Sequence, residues 1–202
     1  MIAIIDYGLG NLRSVSAAID YLGYSWCITR DRSEICNSDK LILPGVGSYG
    51  DGIKRIREYG LDDVLTELVI NQKFPILGIC LGFQLMGKSS TEFGLHTGLS
   101  WLDADTVELR SEDGYRIPHV GWNEHKQTRP SRLFANIPED ALFYYVHSYH
   151  MVCANRGDVA AICQHSEKFT SAIECQNIFG TQFHPEKSQH WGLHLLKNFL
   201  ET

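Results

Sequence analysis

The feature that most narrows the folds open to this chain is a repeated pair: a short apolar run, then a glycine-bearing turn and a helical pattern. Residues 2–5 (IAII), 40–43 (KLIL) and 76–79 (ILGI) are three such runs. A strand with one wet face alternates polar and apolar residues, whereas an almost unbroken apolar run is buried on both faces, as in a parallel sheet. After the first run, Tyr7-Gly8-Leu9-Gly10 supplies a turn and Asn11 an N-cap. Leu12, Val15, Ile19 and Leu22 follow at helical spacing, with Gly23 as the stop. The second run leads to a helix over roughly 51–59 and to another with Leu61, Val64, Leu65 and Leu68 on one face. The third leads to a helix beginning at Leu81. Strands separated by helices predict a parallel sheet with helices on both faces.

The second half changes character. Its β-like runs fall at 106–109, 141–146, 159–163, 171–174 and 178–183, and they predict an antiparallel or mixed extension of the same sheet. Helical spacing returns at Leu193, Leu196, Lys197 and Leu200. With 202 residues and no repeat, low-complexity stretch or linker, one domain over 1–202 with a single sizeable core is expected. The predicted fold class is α/β: a three-layer open mixed sheet, mostly parallel in its N-terminal half, with helices on both faces and an antiparallel extension.

Eighteen Lys and Arg against 24 Asp and Glu leave a net charge of −6, which argues against a nucleic-acid partner, because that needs clustered cations. No segment approaches the ~20 apolar residues of a membrane span, and the N-terminus lacks the basic region of a signal peptide. The six cysteines form no C-x-x-C pair, so neither a disulfide scaffold nor a zinc site is expected, and the reduced cytoplasm is the default compartment.

Residues 41–52 read LILPGVGSYGDG, and Gly45, Gly47 and Gly50 within them spell G-x-G-x-x-G. That spacing matches a dinucleotide-binding fingerprint, so one reading is a non-enzymatic nucleotide binder. It requires a ribose-binding acid at the end of a second strand, but Asp62 and Asp63 fall inside a helical pattern.

Residues 78–82, GICLG, lie between a predicted strand and a predicted helix. This is the cysteine form of the nucleophile elbow, whose flanking glycines permit a sharp, strained turn that makes the nucleophile protrude. A helix N-terminus behind Cys80 favours its thiolate. A thiolate nucleophile needs an imidazole in reach, and the imidazole needs an acceptor to fix its tautomer. His184-Pro185-Glu186 supplies both. Taken separately, Cys80 reads equally well as a buried thiol and His184-Pro185-Glu186 as a solvated turn; the two motifs together are far more specific.

Together these segments resemble class I (triad) glutamine amidotransferases. GICLGFQ at 78–84 and TQFHPEKS at 181–188 are similar to that family's two signatures. PGVG at 44–47, VGWN at 120–123 and VHSY at 146–149 bring the resemblance nearest to the glutaminase subunits of imidazole glycerol phosphate synthase, from the IDYGLGN opening to the C-terminal helix. The resemblance implies Cys80 as nucleophile, His184 as general base and then acid, and Glu186 as the group that orients His184. It implies an oxyanion hole from the Leu81 N–H and a second N–H of the 45–47 segment, at Val46 or Gly47. Gly45, Gln84, Glu92, Ser148 and Tyr149 would hold the substrate glutamine, although Gln84 and Glu92 also read as an exposed helical face. Trp122, Tyr144 and Lys187 would face a cyclase subunit in a heterodimer, with a core role for the two aromatics as the alternative. No cofactor and no metal are implied, since His147-x-x-His150 lacks a further ligand. Gly45 and Gly47 would let the peptide at Val46 rotate inward when the partner is loaded.

Two segments depart from the histidine-biosynthesis pattern: Gly87-Lys88, where a Phe-Glu pair is usual, and GLSWLD at 98–103, where Gly-Leu-Gly-Leu-Ile is usual. They point to an alternative, a paralogous subunit that supplies ammonia for a surface-polysaccharide sugar. A stand-alone cysteine hydrolase or peptidase is a further alternative.

Overall fold

In the computed structural model, which describes residues 1–202, the three apolar runs become neighbouring central strands. β1 (Ile2–Ile5) is followed by α1 (Leu12–Tyr21), β2 (Trp26–Thr29), α2 (Arg32–Cys36), β3 (Lys40–Gly45), α3 (Tyr49–Glu58), α4 (Leu61–Thr66), β4 (Ile76–Cys80) and α5 (Leu81–Gln84). The strands run parallel in the order β2-β1-β3-β4. In β1, β3 and β4 every residue but Lys40 is buried, which is why they carry no polar alternation. Successive side chains enter opposite cores. Ile2, Ile4, Ile42, Leu77 and Ile79 pack with Val15 and Ile19 of α1. Ala3, Ile5, Leu41, Leu43 and Ile76 pack with Ile53 and Ile56 of α3 and Val64 and Leu65 of α4. Burying each large aliphatic side chain contributes about 1.5–3 kcal/mol.

Gly23 stops α1 as expected: its φ is +81°, and the next N–H, of Tyr24, bonds back to Ile19 O. Asn11 holds the N-cap position, but its side chain makes no capping hydrogen bond. β2 and α2 carry little sequence signal. β2 is an edge strand of four residues with Trp26 and Ile28 exposed, and α2 is a five-residue turn started by Asp31, which accepts from the Ser33 and Glu34 N–H groups.

The second half contributes β5 (Ser89–Ser90), β6 (His96–Thr97), β7 (Ala104–Glu108), β8 (His119–Glu124), β9 (Lys126–Gln127), β10 (Leu142–His147), β11 (Tyr149–Cys153), β12 (Val159–Gln164), β13 (Lys168–Cys175), β14 (Ile178–Thr181) and α6 (Gln189–Leu200). The main sheet has eight strands, ordered β2-β1-β3-β4-β14-β13-β12-β9. β14 runs parallel to β4, and β13, β12 and β9 continue antiparallel.

The runs at 106–109 and 141–146 do not extend this sheet, contrary to expectation. β7 joins β11, β5 and β6 in a four-stranded sheet, and β10 pairs with β8 alone. The reason lies in the pleat of β10, where Phe143 and Tyr145 are buried while Leu142, Tyr144 and Val146 are not. Phe143 stacks on Phe183 at 4.1 Å, so the ribbon lies face-on over the core instead of lengthening its edge. α6 covers the same core with Leu195, Leu196 and Phe199. No helix is long and apolar enough to cross a membrane.

Candidate active site

β4 delivers Cys80 in a conformation that L residues rarely adopt, with φ +53° and ψ −110°. The flanking glycines make the bend possible. A Cβ on Gly78 would sit 2.6 Å from Phe83 Cα, and one on Gly82 would enter the Leu43 carbonyl. The helix expected to begin at Leu81 is present as α5, a single turn of four residues. Electrostatic support for Cys80 therefore comes from one turn of free N–H groups rather than from a long helix dipole. Cys80 Sγ lies 3.9 Å from Val146 O and 3.7 Å from Gln182 Nε2.

The partner groups arrive because β14 lies beside β4, with Thr181 in register with Ile79. One residue past Ile79 is Cys80, and three past Thr181 is His184. His184 Nδ1 lies 2.8 Å from Glu186 Oε1, and both side chains are 1% exposed. Tyr144 O accepts from His184 N–H at 2.9 Å. Ser188 Oγ donates to His184 O at 2.6 Å and accepts from Tyr144 N–H at 3.0 Å. His184 Nε2 is buried without a closed hydrogen bond, as is common before substrate tightens such a site. Burial opposes a charged ring at His184, but the nearby Cys80 and Glu186 charges and the hydrogen bond to Glu186 outweigh it and raise the pKa above the ordinary histidine value.

A cavity of about 400 Å³ opens at this corner, lined by Val46, Gly47, Cys80, Leu81, Gln84, Glu92, Ser148, Tyr149, His184 and Lys187 among others. Of the anticipated glutamine contacts, Gly45 does not reach it. Gly45 lies in β3, where a Cβ would be 2.5 Å from the Gly82 backbone N, so its role is the close approach of β3 to α5. Gln84 and Glu92 do not form an exposed helical face. Gln84 is buried, and Nε2 donates to Tyr149 O at 2.9 Å and Gln182 Oε1 at 3.0 Å. Glu92 stands in the turn between β5 and β6, and its Oε2 accepts from Tyr49 N–H at the start of α3.

That last contact answers the nucleotide reading of Gly45, Gly47 and Gly50. The first free N–H of α3, where a phosphate would bind, already holds a protein carboxylate. Gly50 makes room for the His96 ring, 2.7 Å from where its Cβ would be. These glycines serve packing and the turn, not a pyrophosphate.

Trp122 is 44% exposed, and its ring meets Tyr144 edge to face at 5.9 Å, with Lys187 Nζ 5.8 Å from the centre of the Tyr144 ring. The two aromatics thus form a surface cluster rather than a core. His147 lines the cavity, but both its nitrogens are engaged, Nδ1 with Tyr149 O at 2.9 Å and Nε2 with His119 Nδ1 at 3.1 Å. Burial pushes its pKa down to about 3, so it is neutral. His150 lies instead beside Glu167, at 3.7 Å.

Two contacts escaped the sequence reading. Asn11 Nδ2 lies 3.4 Å from Glu186 Oε1, and Gln182 Nε2 lies 3.7 Å from Cys80 Sγ. Gln182, two residues before His184, carried the only local hint.

A family model described as glutamine amidotransferase class-I matches residues 3–202. The chain belongs to this family. The amidotransferase chain is 43% identical over 201 residues to imidazole glycerol phosphate synthase subunit HisH 2 of Methanococcus maripaludis, covering 100% of this chain and 99% of the relative. It is 42% identical over 201 residues to subunit HisH 2 of Pseudomonas aeruginosa, with the same coverage. Among solved structures, one described as a glutamine amidotransferase superposes with a TM-score of 0.77 at 19% identity, covering 100% of this chain and 98% of that one. PurLQS from Thermotoga maritima gives 0.69 at 21% identity, covering 99% and 97%. These structures bear out the α/β amidotransferase fold, including its mixed sheet.

Proposed function

We propose that this amidotransferase is the glutaminase subunit of an imidazole glycerol phosphate synthase. In this reading it hydrolyses glutamine and passes ammonia to a docked cyclase that forms imidazole glycerol phosphate and an aminoimidazole carboxamide nucleotide in histidine biosynthesis. The observation that carries the chemistry is the convergence of the Cys80 elbow with the buried His184–Glu186 pair at one cavity. The relatives named as HisH subunits, matched over nearly their full length, support the pathway. Six free cysteines suit a reducing cytoplasm.

His184 Nε2 takes the Cys80 proton as the sulfur attacks the glutamine side-chain amide. The tetrahedral oxyanion receives the Leu81 N–H and a second N–H from Val46 or Gly47. His184 returns the proton to the leaving ammonia, and water, activated by the same ring, opens the glutamyl thioester. Both N–H groups of the Gln84 amide are occupied, so its free Oε1 accepts from the substrate ammonium, which Glu92 also attracts. Ser148 and Tyr149 then face the substrate carboxylate. Trp122, Tyr144 and Lys187 form part of the surface that meets the cyclase.

A paralogous subunit feeding ammonia to a surface-polysaccharide sugar is a second reading with its own observation. The two departing segments form one contiguous unit, because Gly98 N–H donates to Lys88 O at 2.7 Å and Lys88 ion-pairs with Asp103. Glutamine hydrolysis is to be measured for the isolated chain, for the chain with a histidine-pathway cyclase, and for Cys80→Ala. Little activity alone, strong stimulation by the cyclase and none in the variant are expected. No stimulation by that cyclase supports the paralogue. Peptide or ester turnover without a partner overturns the subunit reading.

A further inference from the structure

A carbonyl and two amides fix the direction of a hydrogen bond at the nucleophile. The Tyr149 carbonyl can only accept, so the Gln84 atom 2.9 Å from it is the amide nitrogen. That same nitrogen lies 3.0 Å from one end of the Gln182 side chain, which must then be the oxygen. The other end, 3.7 Å from Cys80 Sγ, is therefore the Gln182 nitrogen, with a hydrogen to give. Gln182 is 0% exposed and Gln84 5%. Turning the Gln84 amide over would oppose its oxygen to the Tyr149 carbonyl, and turning the Gln182 amide over would oppose nitrogen to nitrogen, each between buried groups. The polarity of the whole chain is dictated from its backbone end.

We infer that Gln182 is a catalytic residue of the glutaminase reaction: its N–H holds the Cys80 sulfur and stabilises the thiolate, while Gln84, anchored on the Tyr149 carbonyl, is a positioning residue that keeps that N–H facing the sulfur. The inference rests on Cys80 being the nucleophile. Gln182 gains and loses no proton, since the thiol proton goes to His184 Nε2. As the carbon–sulfur bond forms, charge leaves the sulfur for the oxyanion and the Gln182 contact slackens. When water has added and the carbon–sulfur bond breaks, charge returns to the sulfur and the N–H stabilises the leaving thiolate. The same three groups tie the nucleophile to β11, whose first residue, Tyr149, is a wall of the substrate cavity.

The test is the rate of Cys80 alkylation by iodoacetamide against pH in the full chain, followed on the Cys80 peptide by mass spectrometry. Gln182→Met keeps the bulk and loses the donor, and its alkylation midpoint rises by roughly one pH unit, a tenfold loss of thiolate at a fixed pH below the midpoint. Gln182→Glu keeps the shape but presents acceptors, so its midpoint rises further. Gln84→Met frees the Gln182 amide to turn over and gives a smaller rise. The double Met variant shifts no further than Gln182→Met alone. In Gln182→Met the loss falls on kcat with KM nearly unchanged. Urea unfolding checks each fold, and Gln84→Met, which does not touch the sulfur, carries the test if Gln182→Met fails to fold. Wild-type midpoints in the folded variants, or additive shifts in the double variant, overturn the inference while leaving the glutaminase reading in place. Normal glutamine hydrolysis by Cys80→Ala would instead remove that reading.

Discussion

His184 sits between two groups that favour its charged form, Cys80 and Glu186, in a burial that disfavours it. The 2.8 Å bond to Glu186 is charge-assisted and almost fully shielded, the kind that contributes about 1.5–3 kcal/mol. Glu186→Gln keeps an acceptor in place but removes the charge, so the His184 pKa falls and the alkaline limb of kcat/KM moves to lower pH. The rate itself drops on the order of 10²–10⁴-fold, the usual worth of a well-placed general acid–base. An alkaline limb that stays put would show that Glu186 does not hold the proton on His184. The stability consequence has a definite sign. A raised folded-state pKa stabilises fully below the unfolded value of about 6.5 and less as pH climbs through the folded value. The Tm gap between wild type and Glu186→Gln is thus fully open just below about pH 6.5, narrows as pH rises and closes in alkali, as calorimetry across pH would record. At this scale the sequence was informative where partners lie close along the chain: Gly78, Cys80 and Gly82 make one elbow, and His184 and Glu186 one turn. Asn11 reaches Glu186 across 175 positions, and no local pattern announces such a contact.

The turns around the site contain two kinds of glycine, and they predict opposite phenotypes. Gly82 has no room: a Cβ there would enter the Leu43 carbonyl and lie 2.7 Å from the Leu43 carbonyl carbon, both rigid backbone. Gly82→Ala should cost about 1–3 kcal/mol or more by overpacking, read as a lower urea midpoint at unchanged m. Gly45→Val belongs to the same class, so it reports on packing and not on rotation of the Val46 peptide. Gly47 is different: its φ is +103°, and the nearest atom to a Cβ would be Leu9 Cδ2 at 4.0 Å. Gly47→Ala therefore meets backbone strain of about 1–3 kcal/mol without a clash, and the chain folds. If the 46–47 peptide must turn to supply the second oxyanion donor, partner-stimulated kcat falls by up to ~10²–10³, the cost of one such donor. Unchanged stimulated kcat in a folded Gly47→Ala chain removes the rotating peptide. Element types were legible wherever the pattern was long and buried, as in β1, β3, β4 and α1. β2 and α2 were not, because four half-exposed residues and a five-residue turn carry too little periodicity. The G-x-G-x-x-G spacing misled for a related reason: it records where glycine is required, and a phosphate, a closely packed helix turn or ring, and a positive φ each require it.

At the scale of the whole molecule, the site exists because β14 enters the sheet beside β4, a pairing between residues about a hundred positions apart. Alternating runs announce that such strands exist, but which strand lies beside which depends on long-range packing, so β7 and β10 were misplaced while the fold class was not. The placement of β10 has a consequence of its own. One face of the ribbon packs Phe143 and Tyr145 into the core, and the other presents Tyr144 with Trp122 and Lys187 at the surface. The Tyr144 backbone bonds both to His184 N–H and to Ser188 Oγ. A partner docked on this surface would therefore bear, through the Tyr144 backbone, on the turn that carries His184 and Glu186. Trp122→Ala separates docking from folding, because a 44%-exposed ring contributes little to the isolated chain. Its Tm should stay within the shift produced by about 0.5 kcal/mol. Binding to the cyclase should weaken by about 2 kcal/mol, roughly thirtyfold in Kd, as for an aromatic near the centre of an interface. Stimulated glutamine hydrolysis would then need higher cyclase concentrations to reach the same plateau. A lower plateau at saturating cyclase would assign Trp122 to the transmission of docking rather than to docking itself. Wild-type Kd and plateau together would place the partner on another face.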